Sequence, residues 1–215
     1  MRRKNATGRR LAPVALRSLP LAALAVLLAQ DGTSGTIVGE VSTKSVKNRQ
    51  NAVVYIESVP GKKFPPPPEH VLMDQKGLSF VPHVLPLLSG TTVDFRNSDN
   101  VMHNVFTPDE IGDKFNLGSW PQGQVRSHTF TKTCAKACEA VMLCNVHPEM
   151  EAYIVILTNP YFAVTDEEGR FTIAGVPAGD YTLRIWHARL AETSQAITVG
   201  AEDTVTVKAQ LTLKR

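Results

Sequence analysis

The segment Cys144-Asn-Val-His147-Pro-Glu-Met150 sets a thiol, an imidazole and a thioether at a C-x2-H-x2-M spacing. It follows Val141-Met142-Leu143, an apolar run with the composition of a buried strand. A second imidazole, His103, lies 41 residues before Cys144, in Asn97-Ser-Asp-Asn-Val-Met-His103-Asn104-Val-Phe106. One thiolate, two imidazoles and a weak thioether are the donors of a mononuclear copper electron-transfer site. Thiolate and thioether favour Cu(I), and imidazole suits both oxidation states. A site held between the geometries that the two states prefer changes little when an electron moves. Zinc is a poorer match, because thioether is not among its usual ligands. A binuclear copper site needs two cysteines four apart and a histidine four residues after the second. Cys134 and Cys138 have that first spacing, but His147 lies nine residues beyond Cys138.

The remaining histidines and cysteines carry weaker signals. His83, in Val81-Pro82-His83-Val84, is a candidate accessory ligand, near this metal or at a second site with Met73 or Met102. The bland alternative is a polar strand residue bonded to backbone. His187, in Trp186-His187, reads as structural, His128 as a solvated face residue, and His70 carries no signal. Cys134-Ala-Lys-Ala-Cys138 reads as a local disulfide in an oxidising compartment. The alternative is a pair of free thiols that pass copper. With three cysteines in the chain, at least one is unpaired or metal-bound.

Rigid elements must position these donors, and the chain offers strands. Short strand-like runs cover Thr36–Val41, Ala52–Glu57, Thr91–Arg96, His103–Phe106, Val125–Phe130, Ala140–Cys144 and Tyr153–Leu157. Further runs cover Tyr161–Thr165, Arg170–Ala174, Tyr181–Trp186, Gln195–Val199 and Thr204–Leu213. In the last, Val205, Val207, Ala209, Leu211 and Leu213 alternate with polar residues. Turn signals at Ser89-Gly90, Glu168-Gly169 and Ala178-Gly179 separate the runs, and no long helical period appears. The fold class expected is all-β, built of antiparallel sandwiches. Pro65–Pro68 reads as a stiff spacer.

On these residues the chain resembles the cupredoxins. In that family one histidine ligand comes from an early strand and the other three ligands from one loop near the end of the domain. His103 matches the first, and Cys144, His147 and Met150 match the loop, whose length is like that of the amicyanins. Phe80-Val-Pro82 and Ser89-Gly90-Thr-Thr-Val93-Asp-Phe95-Arg-Asn97 resemble the family's opening strands. Asn104 matches the position whose side chain ties the ligand loop to the neighbouring strand. The resemblance spans roughly residues 71–158 and is nearest to plastocyanin-like proteins of the methylamine-utilisation type. It implies a Greek-key sandwich holding one copper ion through His103, Cys144, His147 and Met150. The segment around Cys134 and Cys138 departs from the family, where a short turn usually precedes the cysteine strand.

A second resemblance lies nearer the C-terminus. Thr165-Asp-Glu-Glu-Gly169-Arg-Phe171-Thr-Ile173 and Val176-Pro-Ala-Gly179-Asp-Tyr181-Thr-Leu183 are similar to the carboxypeptidase regulatory-like, prealbumin-type sandwich. The opening strands of that family match Gly35-Thr-Ile-Val-Gly39-Glu-Val41 and Asn51-Ala-Val-Val-Tyr55-Ile, which precede the cupredoxin-like region. The expectation is therefore an outer sandwich of residues 35–60 and 159–215, with a cupredoxin-like domain of residues 61–158 inserted in it. The alternatives are a simple fusion of the two, with residues 35–60 opening the cupredoxin itself. Insertion requires Ala52–Glu57 to pair with Tyr161–Thr165 and later residues, not with Thr91–Arg96.

Residues 1–30 read as a secretory signal. Six basic residues (Arg2, Arg3, Lys4, Arg9, Arg10 and Arg17) occur with no acid, ahead of the apolar run Leu19–Ala29. That run is shorter than the roughly 20 residues of a permanent span. Cleavage is expected near Ala29 or Gln30; an amphipathic anchor is the alternative. Removing these six of 23 basic residues leaves 17 against 20 acidic, a net charge of −3. The whole chain is +3, so its basic balance belongs to the leader and no nucleic-acid stripe remains.

The expected protein is thus periplasmic or secreted, is not an enzyme, and moves single electrons to or from an unidentified redox partner. The outer sandwich would serve as a docking or spacer module. Two other readings stay open. One is a protein that holds and delivers Cu(I) without redox turnover. The other is an extracellular binding module with a vestigial metal site.

Overall fold

The computed structural model describes residues 34–44 and 49–214. The expected export segment, residues 1–30, lies outside the described residues. Among those described, no helix is long and apolar enough to cross a membrane. In chain order the strands are β1 (Ser34–Thr43), β2 (Val53–Ile56), β3 (Val71–Gln75), β4 (Phe80–Val81), β5 (Val84–Leu88), β6 (Thr91–Asn97), β7 (His103–Phe106) and β8 (Asn116–Trp120). They continue with β9 (Val125–Phe130), β10 (Cys138–Leu143), β11 (Glu151–Leu157), β12 (Phe162–Val164), β13 (Arg170–Pro177), β14 (Gly179–His187), β15 (Leu190–Val199) and β16 (Thr204–Leu211). A 3-10 turn, Glu110–Gly112, lies between β7 and β8.

The strands form four sheets, and the chain is all-β as its alternating patterns imply. Two sheets, ordered β13-β1-β16 and β12-β2-β14-β15, enclose a core that includes Ile37, Val54, Ile56, Phe171, Leu183 and Ile185. The other two, ordered β5-β11-β10-β7-β8 and β4-β3-β6-β9, enclose Met73, Phe95, Trp120, Phe130, Met142 and Ile154. Alternation sets these faces. In β6, Thr91, Val93, Phe95 and Asn97 turn inward, while Thr92, Asp94 and Arg96 turn away.

Strand pairing links the ends of the chain. β2 pairs with β12 (Val54 opposite Ala163) and with β14 (Val54 opposite Ile185). β6 pairs instead with β3 and β9. Residues before the proline run therefore share sheets with residues after Asn159.

Two strands break the simple in-out alternation. In β11, Ala152, Ile154 and Ile156 face the inner core, as alternation demands. Tyr153, Val155 and Leu157 on its other face pack with Val53, Tyr55, Val84 and Trp186 rather than meeting water. In β2, Val54 and Ile56 face the outer core, and Val53 and Tyr55 join the same contact. A strand buried on both faces reads as a continuous apolar run, as both of these do. The contact between sandwiches is thus a third apolar core. Full burial of side chains such as Val155 and Leu157 contributes about 1.5–3 kcal/mol each.

The two connections are also fixed. Asn159, 2% exposed, donates from Nδ2 to the Ile56 carbonyl at 2.7 Å and accepts the Tyr161 N–H at 3.1 Å. Pro66 lies against Gly90, whose φ is +91°; a Cβ there would sit 2.9 Å from the ring. The position requires glycine on both counts.

Three strands, β3, β5 and β8, fall outside the runs read from sequence, while β4 falls on the Phe80-Val-Pro82 match. β5 carries Pro86, a residue that argues against a central strand; here it sits on the sheet edge, where the missing N–H costs nothing. β8 carries Gly118 at φ +73°, beside a register shift against β7. Leu213, expected to turn inward, is 75% exposed because the regular strand ends at Leu211. His128, expected on a solvated face, instead stacks on Phe115 with ring centres 4.0 Å apart. Burial pushes its pKa below the usual histidine value, against the opposing Asp113 charge.

Asn159→Ala removes two hydrogen bonds at a buried crossing. It should lower unfolding free energy by about 1–3 kcal/mol. Urea titration should show a lower midpoint at unchanged slope.

Candidate metal centre

Three elements bring the donors together. His103 opens β7, Cys144 follows the last residue of β10, and Glu151, directly after Met150, opens β11. β7 and β10 are neighbours, with Phe106 opposite Leu143. The loop between β10 and β11 closes on itself through the Met150 N–H, which donates to the His147 carbonyl at 3.0 Å. Nδ1 of His103 lies 3.9 Å from Cys144 Sγ and 3.1 Å from His147 Nδ1. The ligand atoms of His103, Cys144 and His147 all lie within 4.8 Å of one another. His103, Cys144 and Met150 are buried, and His147 is half-buried.

Hydrogen bonds hold these groups from behind. The Asp99 carboxylate accepts the N–H groups of Gly77 (2.7 Å) and Leu78 (2.9 Å) and meets His103 Nε2 at 2.9 Å. Burial pushes the Asp99 carboxyl up, but the Leu78 and Gly77 N–H groups and the His103 ring outweigh it and hold its pKa below the usual carboxylate value. An ionised Asp99 can only accept, so His103 Nε2 carries the hydrogen and Nδ1 is left as the lone-pair nitrogen facing Cys144 and His147. Asn104 does the same work for the loop. Its backbone N–H donates to Cys144 Sγ at 3.5 Å, and its Oδ1 accepts the Asn145 N–H at 3.2 Å. Its Nδ2 donates to Asn116 Oδ1 and the Gly118 carbonyl, both at 2.8 Å, so β8 anchors the ligand loop.

The donor set fits a copper ion. Two nitrogens each about 2.0–2.1 Å from a first-row metal lie about 3 Å apart, as the two Nδ1 atoms do. The thiol and thioether match Cu(I), and the imidazoles match either state. Met150 shares the buried cluster of Cys144.

The other residues singled out from sequence have different places. His83 donates from Nδ1 to the Glu151 carbonyl at 3.0 Å and meets the Tyr153 ring edge-on at 5.8 Å. It lies outside the three-residue group. Met73 is in the inner core and Met102 is 46% exposed. Cys134 and Cys138 are bridged, with Cα atoms 5.6 Å apart, and Cys144 is the free thiol. The bridged loop touches the outer sandwich where the Ala137 N–H donates to Tyr55 Oη at 3.4 Å. His187 is buried and accepts the Arg189 N–H at 3.1 Å, a structural placement. His70, which carries no signal in sequence, bonds Asp94 at 2.9 Å. Asp99 had no role in the sequence reading either. Its one signal was its place four residues before His103, a spacing that means nothing until the β6–β7 turn is formed.

Comparison with known proteins finds one family model and several solved structures to which parts of this chain are similar. The family model of the carboxypeptidase regulatory-like domain matches residues 150–212. Among solved structures, the oxidised form of an amicyanin point mutant is 24% identical, with a TM-score of 0.37, over 40% of this chain and 81% of the amicyanin. A purple cupredoxin from Nitrosopumilus maritimus is 22% identical, with a TM-score of 0.35, over 40% of this chain and 98% of that protein. A copper-containing nitrite reductase from Thermus scotoductus SA-01 is 26% identical, with a TM-score of 0.39, over 55% of this chain but only 28% of the reductase. No curated protein matches the chain. The two families that the sequence resembles are those these comparisons return.

Thiol titration of denatured, unreduced, metal-free protein should find one reactive group per chain, and Cys144→Ser should leave none. Three groups would mean that Cys134 and Cys138 are not bridged in solution.

Proposed function

We propose that this chain is an exported mononuclear copper protein that carries single electrons, and that its outer sandwich docks or spaces the copper domain. The observation that carries the reading is the meeting of one thiol and two imidazole nitrogens within 4.8 Å of one another in a buried pocket. The metal would be held by His103, Cys144 and His147, with the Met150 thioether as a weaker donor. Bound there, copper would supply a Cu(I)/Cu(II) couple.

The chain's own residues supply the rest. Asp99 holds the His103 ring in one tautomer and makes it a stronger donor. The Asn104 N–H on Cys144 Sγ stabilises negative charge on sulfur. Burial of His103, Cys144 and Met150 keeps bulk water from the donors and limits rearrangement between redox states. His147 alone among them is partly exposed, beside Val146, which is 45% exposed. This is the edge through which an electron would pass. A Met150 thioether beside one thiolate and two imidazoles would complete a set of four protein donors, which argues for a carrier over an enzyme.

The domain division belongs to the same proposal. Residues 61–158 form a copper domain inserted between β2 and β12 of a sandwich made from residues 35–60 and 159–215. The pairing of β2 with β12 and β14 supports this reading. Two connections, one proline-rich and one fixed by Asn159, then hold the copper loop in a narrow range of orientations to the outer sandwich.

The Cu(II) form should show an intense visible thiolate-to-copper band that Cys144→Ser abolishes; a band surviving in the variant would remove Cys144 from the site. Met150→Leu should keep copper but raise the reduction potential in voltammetry, since losing a weak donor disfavours Cu(II) more than Cu(I). Asp99→Asn should weaken copper affinity about 10–100-fold, measured by competition with a chelator. Unchanged affinity would mean that Asp99 only caps the Gly77–Leu78 turn.

A further inference from the structure

The sandwich that carries the donors buries a carboxamide that bonds to no described residue. Gln75, the last residue of β3, is 0% exposed, and neither Nε2 nor Oε1 of its side chain has a hydrogen-bond partner. Its neighbours are better served. Asp74, one residue earlier, accepts Arg96 Nη2 at 2.7 Å and Ser98 Oγ at 2.8 Å through Oδ2. Asn97, beside Gln75 on β6, donates from Nδ2 to the Val101 carbonyl at 2.7 Å and to the Trp120 carbonyl at 2.9 Å. Its Oδ1 accepts the Asp99 N–H at 2.9 Å. Protein interiors leave few polar groups bare, because a bare group has given up its hydrogen bonds to water for nothing. An amide bare at both ends points to a partner outside the polypeptide.

Strand register shows where that partner lies. Met73 and Gln75 stand opposite Phe95 and Asn97 of β6, and Gln75 stands opposite Phe80 of β4. Met73, Phe80 and Phe95 all face the inner core, so alternation turns Gln75 inward with them. Phe80, Gln75 and Asn97 therefore form a buried row across one sheet, at the end where the β6–β7 turn brings Asp99 to His103. The facing sheet has its own row at that end. Met150 precedes β11, Cys144 follows β10, His103 opens β7, and Trp120 closes β8 opposite His103. The two rows meet at both flanks. Phe80 and Met150 line one hollow, and Asn97 bonds the Trp120 carbonyl. Gln75, between Phe80 and Asn97, is left facing the stretch where Cys144 and His103 bring their donor atoms together.

We propose that the Gln75 carboxamide is a further donor to the metal, through Oε1; this rests on the copper reading. A carbonyl oxygen is a harder donor than thiolate or thioether, which favour Cu(I), so Gln75 holds Cu(II) the more strongly. It thereby sets the reduction potential below the value that the sulfur and nitrogen donors alone would give. A neutral amide suits the place, because it leaves no unpaired charge in the core when no metal is bound. Metal binding also converts the Cys144 thiol to a thiolate, an acceptor suited to the Nε2 end of the same amide.

The test compares wild-type protein with Gln75→Leu and with the isosteric Gln75→Glu, each loaded with copper. Competition with chelators should show Cu(II) affinity lowered about ten-fold in Gln75→Leu with Cu(I) affinity unchanged, which raises the reduction potential by about 59 mV. Gln75→Glu sets an anionic oxygen at the same place and should move the potential below that of wild type. If Gln75→Leu fails to fold, Gln75→Glu carries the test alone, and a potential at or above the wild-type value overturns the proposal. Equal losses of Cu(I) and Cu(II) affinity, with the potential unmoved in both variants, are what a packing role gives and overturn it too. The thiolate-to-copper band of the wild type tells this failure from failure of the copper reading. With the band present, unmoved potentials remove Gln75 alone. With no band, the copper reading falls and the role of Gln75 falls with it.

Discussion

β11 is buried on both faces, and the placement of everything of chemical interest follows from that. One face, Ala152, Ile154 and Ile156, seals the core beneath the donor atoms. The other, Tyr153, Val155 and Leu157, is pressed against Trp186 and Tyr55 of the outer sandwich. Met150 stands directly before the strand and His83 is bonded to its first carbonyl. Neither sandwich can shift against the other without exposing apolar surface on the strand that anchors the ligand loop. A flexible tether would give no such constraint. The outer sandwich therefore braces the strand that anchors the loop.

Within that frame the donors are held by polar groups that are themselves held. Asp99 is fixed by two backbone N–H groups before it touches His103. Asn104 is fixed by Asn116 and Gly118 before it touches the loop at Asn145. His103 and Cys144 thus each have a partner whose own position does not depend on a metal. Such preorganisation favours a site that changes little between charge states. It also bears on the choice between electron transfer and copper delivery. Delivery calls for donors that let go, and the buried His103 and Cys144 are tied to Asp99 in the β6–β7 turn and to Asn104 on β7.

The sequence made the donor set legible because ligand chemistry is local: thiol, imidazole and thioether at fixed spacing carry their meaning before folding. The all-β class was legible for a similar reason, since strand alternation is a property of adjacent residues. The opening strands of the outer sandwich could be matched to Gly35–Val41 and Asn51–Ile56 through family resemblance, but only the sheet pairing displays their partners. What stayed hidden depends on tertiary neighbours. Pro86 and Gly118 are strand breakers whose strands form because an edge position and a bulge accommodate them. His128 sits in a strand of exposed-looking residues, and only the fold lays Phe115 over it. Asp99 is an ordinary charged residue in sequence, and it acquires a role because the fold brings it to a buried imidazole.

The central claim is that Cys144, His103 and His147 bind one copper ion together. X-ray absorption at the copper edge, on protein carrying one equivalent of copper, tests it most directly. The account predicts a first shell of one short Cu–S contact and two Cu–N contacts for one copper per chain. A shell of nitrogen and oxygen alone would contradict it.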